Sequence, residues 1–219
     1  EKCEALLDLK TALTHYEAAF KLAPNDLETI ARFSKCLSDS VFDPVQQAKD
    51  LPQRNAERAV RLSEKAIELW PEDGHAHLVH AVNLGRLSGF RGNKEKVRIA
   101  GCVRAEADIA IAKLPNDDMA HYLGARWELE MASIGPMLRA VVKMIFGDLQ
   151  HGSLAKSEAG FRKALELAPN RSINHVAMGK VMAKLGKNDE AKTYLKHSMT
   201  LEVEDLNAWC ERRDEVHLL

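Results

Sequence analysis

Glycine and proline are scarce in this sequence, 12 and 7 among 219 residues, and aromatic residues make up only 5% of it. Runs of β-branched residues are few as well, so little favours strands, while Ala, Leu, Glu and Lys recur at helical spacing. An all-α fold is expected. Cysteine is limited to Cys3, Cys36, Cys102 and Cys210, far apart and without a C-x-x-C pair. Neither a zinc ribbon nor a redox motif is therefore written here, and a reduced intracellular setting is expected. Neither charge is in excess: Lys plus Arg is 31 and Asp plus Glu is 32, giving 31 − 32 = −1. A general nucleic-acid binder needs surplus cationic charge, so nucleic acid is not an expected partner. No run approaches the roughly 18 apolar residues of a membrane span, and no signal-peptide pattern opens the chain. A start at Glu1 reads as a fragment or processed product, which leaves an upstream anchor or targeting segment open.

What the chain does contain is a repeat. HYEAAFKLAPND (15–26), LSEKAIELWPED (62–73), ADIAIAKLPNDD (107–118), FRKALELAPNRS (161–172) and YLKHSMTLEVED (194–205) are amphipathic segments that stop alike, at Pro24, Pro71, Pro115, Pro169 and Val203. Proline ends a helix because it lacks the N–H and restricts the residue before it. The stops are 47, 44, 54 and 34 residues apart. Ten residues after each proline stand Ser34, Ala81, Ala125 and Gly179; five before each stop stand Ala19, Ala66, Ala110, Ala164 and Ser198. All are small, as close approach of paired helices requires.

This register resembles the tetratricopeptide family, whose period is about 34 residues. The resemblance implies a solenoid of antiparallel helix pairs, A and B, in a single domain. A partial first repeat spans 1–26, full repeats span about 27–73, 74–117, 118–171 and 172–203, and a capping helix spans 204–219. Because both small-residue counts hold, the surplus residues are expected in extended A to B corners at Asp39 to Leu51, Ser88 to Gly101 and Ser133 to Gly152.

Several features look chemical and read more simply as scaffold. His77, His121 and His175 share the fourth position of helix A, where a packing role is expected. His75 lies about 200° around the helix from His77, so the histidines do not converge on a metal. Gly85, Gly89 and Gly92 match neither a P-loop nor G-x-G-x-x-G; they are expected to end a helix and supply positive φ in an extended corner. No nucleophile, zincin or triad motif is present, so no catalytic residue, metal or cofactor is expected, and the chain is not expected to be an enzyme. Acids such as Glu57, Glu64, Glu202, Glu204 and Asp205 read as solvated faces or helix starts.

In tetratricopeptide hairpins helix A lines a concave groove. Position 9 of helix A is Lys35, Val82, Arg126 and Lys180; position 5 is Ala31, Leu78, Tyr122 and Val176; position 13 is Asp39, Arg86, Glu130 and Lys184. Lys35, Leu78, Arg86, Tyr122, Arg126, Lys180 and Lys184 thus form a basic row beside an apolar one. Such a groove suits an acidic or amphipathic protein segment, with an anionic phospholipid as the alternative; cations that merely solubilise the face are the plainer account. The apolar stretch Met137 to Phe146 is expected to be buried against neighbouring repeats, with a partner or membrane contact as the other outcome. The basic edge from Arg86 through Arg98 also remains a candidate for function.

GRLSGFRGNKEKVR (85–98), LPNDDMAHYLGARWELEMA (114–132) and PMLRAVVKMIFG (136–147) carry a closer resemblance. Together they resemble the regulator of microtubule dynamics family, over about residues 55–200. The resemblance implies a non-enzymatic scaffold, cytoplasmic and microtubule-associated, with tubulin as a candidate partner. One branch of that family implies instead the mitochondrial outer membrane, membrane contact sites and phospholipid binding or transfer. Membership of a larger assembly, the groove filled by a neighbouring subunit, is a further expectation.

Overall fold

A computed structural model describes residues 8–43, 50–146 and 150–215, and among them every regular element is helical. The chain divides into two compact units, Glu1–Leu114 and Pro115–Leu219. In the first unit lie α1 (Leu9–Leu22), α2 (Leu27–Asp39), a 3₁₀ turn (Ser40–Phe42), α3 (Leu51–Leu69), α4 (Gly74–Ser88) and α5 (Asn93–Lys113). In the second lie α6 (Asp118–Ala132), α7 (Pro136–Phe146), α8 (Leu154–Leu167), α9 (Ser172–Lys184), α10 (Asn188–Thr200) and α11 (Leu206–Glu215).

Helix starts follow from the residues after the prolines. Asp26, Asp73 and Asp117, each two residues past its proline, accept backbone N–H groups from Thr29, Ala76 and Ala120 at 2.8, 3.3 and 2.9 Å. These are N-caps that satisfy otherwise orphaned donors. The fourth turn has Arg171 at this place, and the cap comes from far along the chain: the Glu204 carboxylate accepts the Ser172 backbone N–H and, at 2.9 Å, the Ser172 hydroxyl. Glu204, expected as a helix-start acid, serves the start of α9 rather than that of its own helix.

The recurrent histidines do more than pack. Nε2 of His77, His121 and His175 lies 2.8, 2.9 and 2.6 Å from the carbonyl oxygen of Pro71, Pro115 and Pro169. A carbonyl only accepts, so Nε2 carries the proton and the ring ties helix A back across its preceding turn. In the first repeat that position is Ile30, a buried core residue, and the Pro24 carbonyl is met instead by Lys65 Nζ at 2.7 Å.

In the first unit, Ile30, Phe33 and Leu37 of α2 pack on Ala59, Leu62 and Ala66 of α3. In the second, Tyr122, Ala125 and Leu129 of α6 join Phe161 and Ala164 of α8 and Met178, Val181 and Met182 of α9. The small-residue register falls at these helix contacts. Ser34, Ala66, Ala81, Ala110, Ala125, Ala164 and Ser198 are buried, and Ala19 is half-buried. A Cβ added at Gly179 would stand 2.7 Å from Leu195 Cγ, so glycine is what lets α9 and α10 meet at that point.

Three expectations need correction. The second corner is not extended: it is only Gly89 to Gly92, and α5 begins at Asn93. The surplus residues lengthen helix B to 21 residues, since NKEKVRIAGCVRAEADIAIAK has no proline to stop it and Glu95 pairs with Arg98 one turn on. Nor do glycines supply positive φ there: Gly89 is at −58° and Gly92 at −70°, and among the described residues the positive-φ position is Gly186 at 76°. Thirdly, α7 is not buried. Met137 and Met144 are 83% and 81% exposed, Val141 and Ile145 are exposed too, and Val142 alone of its described apolar side chains is buried. An apolar period identifies an amphipathic helix but carries no information on whether a neighbour covers it. Residues 44–49 of the first corner, 147–149 of the third and 216–219 of the expected capping helix lie outside the described residues.

Candidate functional site

Helical spacing places Tyr122 and Arg126 one turn apart on α6, and Lys180 and Lys184 one turn apart on α9. Arg126 Nη1 donates to the Tyr122 hydroxyl at 3.1 Å, while the Tyr122 ring packs on Phe161 at 5.6 Å between centroids. These side chains, with Leu129, Glu130, Val176 and Lys180, line a depression in the second unit.

The depression holds a carboxylate from the chain itself. Glu211 of α11 places Oε1 2.7 Å from Arg126 Nη1 and Oε2 2.5 Å from Lys180 Nζ. Glu215, one turn further, reaches Lys180 Nζ at 3.1 Å. Burial alone would push the Glu211 carboxyl up, but the charges of Arg126 and Lys180 and their hydrogen bonds outweigh it and hold it down at about 2. Burial opposes the charged form of Lys180 too, and Glu211 and Glu215 raise it nonetheless. Tyr122 is raised by burial and stays neutral. Chemically this is a carboxylate receptor: a guanidinium and an ammonium each take one oxygen, beside an apolar wall.

Of the residues expected in the groove, the second unit brings together Tyr122, Arg126 and Lys180, with Lys184 exposed on the same helix as Lys180. In the first unit Lys35 pairs with Asp39 on its own helix at 2.5 Å. The Arg86 guanidinium lies 4.5 Å from the centre of the Phe42 ring, a cation–π contact, and Leu78 is buried. Along the basic edge, Arg91 pairs with Glu57 at 2.9 Å and Arg98 with Glu95 at 2.6 Å. The histidine cluster is likewise engaged: His77 Nδ1 meets Glu106 at 2.5 Å and His80 Nδ1 meets Ser63 Oγ at 3.0 Å.

Glu211 and Glu215 were not among the expected site residues. The signal that could have found them is their spacing of four in CERRDE, which puts two acids on one face of a helix expected to cover the last repeat. Among the described residues no helix is long and apolar enough to cross a membrane.

Comparison with known proteins places these features in context. The family described as regulator of microtubule dynamics protein 1-3 matches residues 2–214. Regulator of microtubule dynamics protein 2 of Macaca fascicularis is 30% identical over 141 residues, 64% of this chain and 34% of that protein. Protein 2 of Bos taurus is 28% identical over 173 residues, covering 78% and 41%, and Bos taurus protein 3 is 27% identical over 140 residues, covering 64% and 30%. The chain thus spans about a third of the length of these relatives. Among solved structures, a thermophilic TPR protein of Thermus thermophilus superposes with a TM-score of 0.66 at 16% identity, over 99% of this chain and 94% of that one. At that identity the likeness shows the tetratricopeptide-like fold alone.

Proposed function

The chain belongs to the regulator of microtubule dynamics family, and from that premise we propose that it is a non-enzymatic scaffold that binds an acidic segment of a protein partner on microtubules. One observation carries the reading: Arg126 and Lys180, beside Tyr122, already hold a carboxylate, that of Glu211, in a concave site with apolar walls. The acidic tail of tubulin is the candidate ligand, and the setting is cytoplasmic. Lys184 extends the cationic surface, while Lys35, Arg86 and Leu78 would contribute a separate contact from the first unit. The test is co-sedimentation with microtubules. Arg126→Gln with Lys180→Gln should weaken binding about tenfold or more, and removing the acidic tails from the microtubules should do the same to the unaltered chain. Binding that survives both changes, in protein that still melts cooperatively, would sink this reading.

A second reading is favoured by α7. Its exposed Met137, Val141, Met144 and Ile145 form an apolar face of the kind that meets lipid. A phospholipid-binding or lipid-transfer role at membrane contact sites, including the mitochondrial outer membrane, would use that face. Flotation with liposomes should then fall when Met137, Met144 and Ile145 are changed to Ser; absence of flotation by the unaltered chain, with no phospholipid in its native mass spectrum, would discard it.

A further inference from the structure

We propose that α11 is a built-in competitor for the site on α6 and α9, and that a partner displaces it by presenting a helix with two carboxylates four residues apart. The inference rests on the reading that Arg126 and Lys180 bind a partner's carboxylates, and it adds both the form of the ligand and the state of the site before binding. Glu211 divides its two oxygens between Arg126 and Lys180, and Glu215 reaches Lys180 from the next turn. The occupant already in place is therefore a helix bearing acids at i and i+4, the spacing that puts both on one face.

The way α11 is attached makes local displacement possible. Its buried residues are Leu206, Asn207, Ala208 and Cys210, all in its first half. From Glu211 onward the described residues are half-buried or exposed, and that turn is held by polar contacts: the two glutamates on one side, and Arg212 Nη1 bonded to the Ser198 and Leu201 carbonyls at 2.9 and 3.0 Å on the other. Releasing residues 211–215 exchanges charged contacts for hydration and exposes little apolar surface, whereas releasing 206–210 would uncap the end of the core. The partner's acids replace Glu211 and Glu215 one for one, so charge in the site is conserved. Only molecules with that turn released can bind, and apparent affinity is reduced by the fraction released.

The experiment titrates the full chain against a fluorescent alanine-based helical peptide carrying two Glu at i and i+4, and against an isomer with the same residues at i and i+2. Glu211→Gln should tighten the i, i+4 peptide about tenfold and Glu215→Gln about threefold. Arg126→Gln with Lys180→Gln should abolish binding, and the i, i+2 isomer should bind at least about fivefold more weakly throughout. Hydrogen exchange on the unaltered chain tests the same point without relying on the folding of Glu211→Gln: saturating peptide should speed exchange of the amides of 211–215 and leave 206–210 protected. Unchanged affinity in a folded Glu211→Gln, or unchanged exchange at 211–215, overturns the competition while the carboxylate site stands. Equal binding of the two peptides overturns the helical form of the ligand. Peptide binding indifferent to Arg126 and Lys180 overturns the site itself, as does phosphatidylserine vesicle binding that depends on these two residues while the peptide stays silent.

Discussion

His77 and His175 occupy the same place in their repeats and make the same bond to a proline carbonyl, yet they should titrate in opposite directions. Burial lowers both. The hydrogen bond to the Pro71 carbonyl, Glu106 against Nδ1 and Glu72 nearby outweigh burial at His77 and raise its pKa above 6.5. Acceptors at both ring nitrogens favour the cation. Its contribution to stability is fully present below 6.5 and is lost as pH rises through its folded value. His175 is buried against the His197 ring, and its Nδ1 finds no acceptor, so burial keeps its pKa below 6.5. Its contribution is present above 6.5 and is lost as pH falls through its folded value. Ring-proton NMR titration checks both; a shared midpoint would refute the contrast. Glu211 sets a third dependence. Its carboxyl moves from 4.5 to about 2, so its contribution, at most about 3 kcal/mol and less after solvent screening, is present above 4.5 and is lost as pH falls through 2. Melting curves of Glu211→Gln should lose the corresponding acid limb. The histidine recurrence was legible in the sequence; the divergence was not, because Glu106 stands 29 residues from His77.

At the level of helices, three glycines separate what packing demands from what it tolerates. A Cβ at Gly152 would fall 2.1 Å from the Glu128 carbonyl oxygen and 2.5 Å from the Ala132 nitrogen, both backbone atoms that cannot step aside. Gly152→Ala should cost about 3 kcal/mol or more. At Gly179 the obstacle is the Leu195 side chain, which can rotate, and Gly179→Ala should cost about 1 to 2 kcal/mol. Gly101 lies within α5 with nothing near its missing Cβ. Gly101→Ala should stabilise by about 0.5 to 1 kcal/mol, because glycine is the weaker helix former and loses more entropy on folding. Urea unfolding of the three variants tests this order. Gly179 was recognisable from its register ten residues past Pro169. Gly101 was placed at the end of a corner because the surplus residues were expected between the two small-residue positions, whereas helix B simply runs through it.

For the chain as a whole, the fold was legible because its signals are local: a proline stop and a small residue at each helix contact. The candidate site was legible by half. Helical period alone groups Tyr122 with Arg126 and Lys180 with Lys184, but Glu211 pairs with Arg126 across 85 positions, from a helix whose acids look like ordinary solvation. The exposed α7 failed for a related reason, since amphipathic spacing fixes a face and leaves open what meets it. The turn clasps carry a consequence in time. Three prolines are clasped by a histidine six residues away, contacts that need almost no chain search, whereas the Pro24 clasp waits for Lys65, 41 residues downstream. Loop-closure entropy delays such non-local contacts. In pulse-labelled refolding the turn at Pro24 should therefore gain protection after those at Pro71, Pro115 and Pro169, and Lys65→Ala should slow that turn alone. Synthesis from the amino end would restore the order of the bends, because Lys65 is made before either Pro71 or His77.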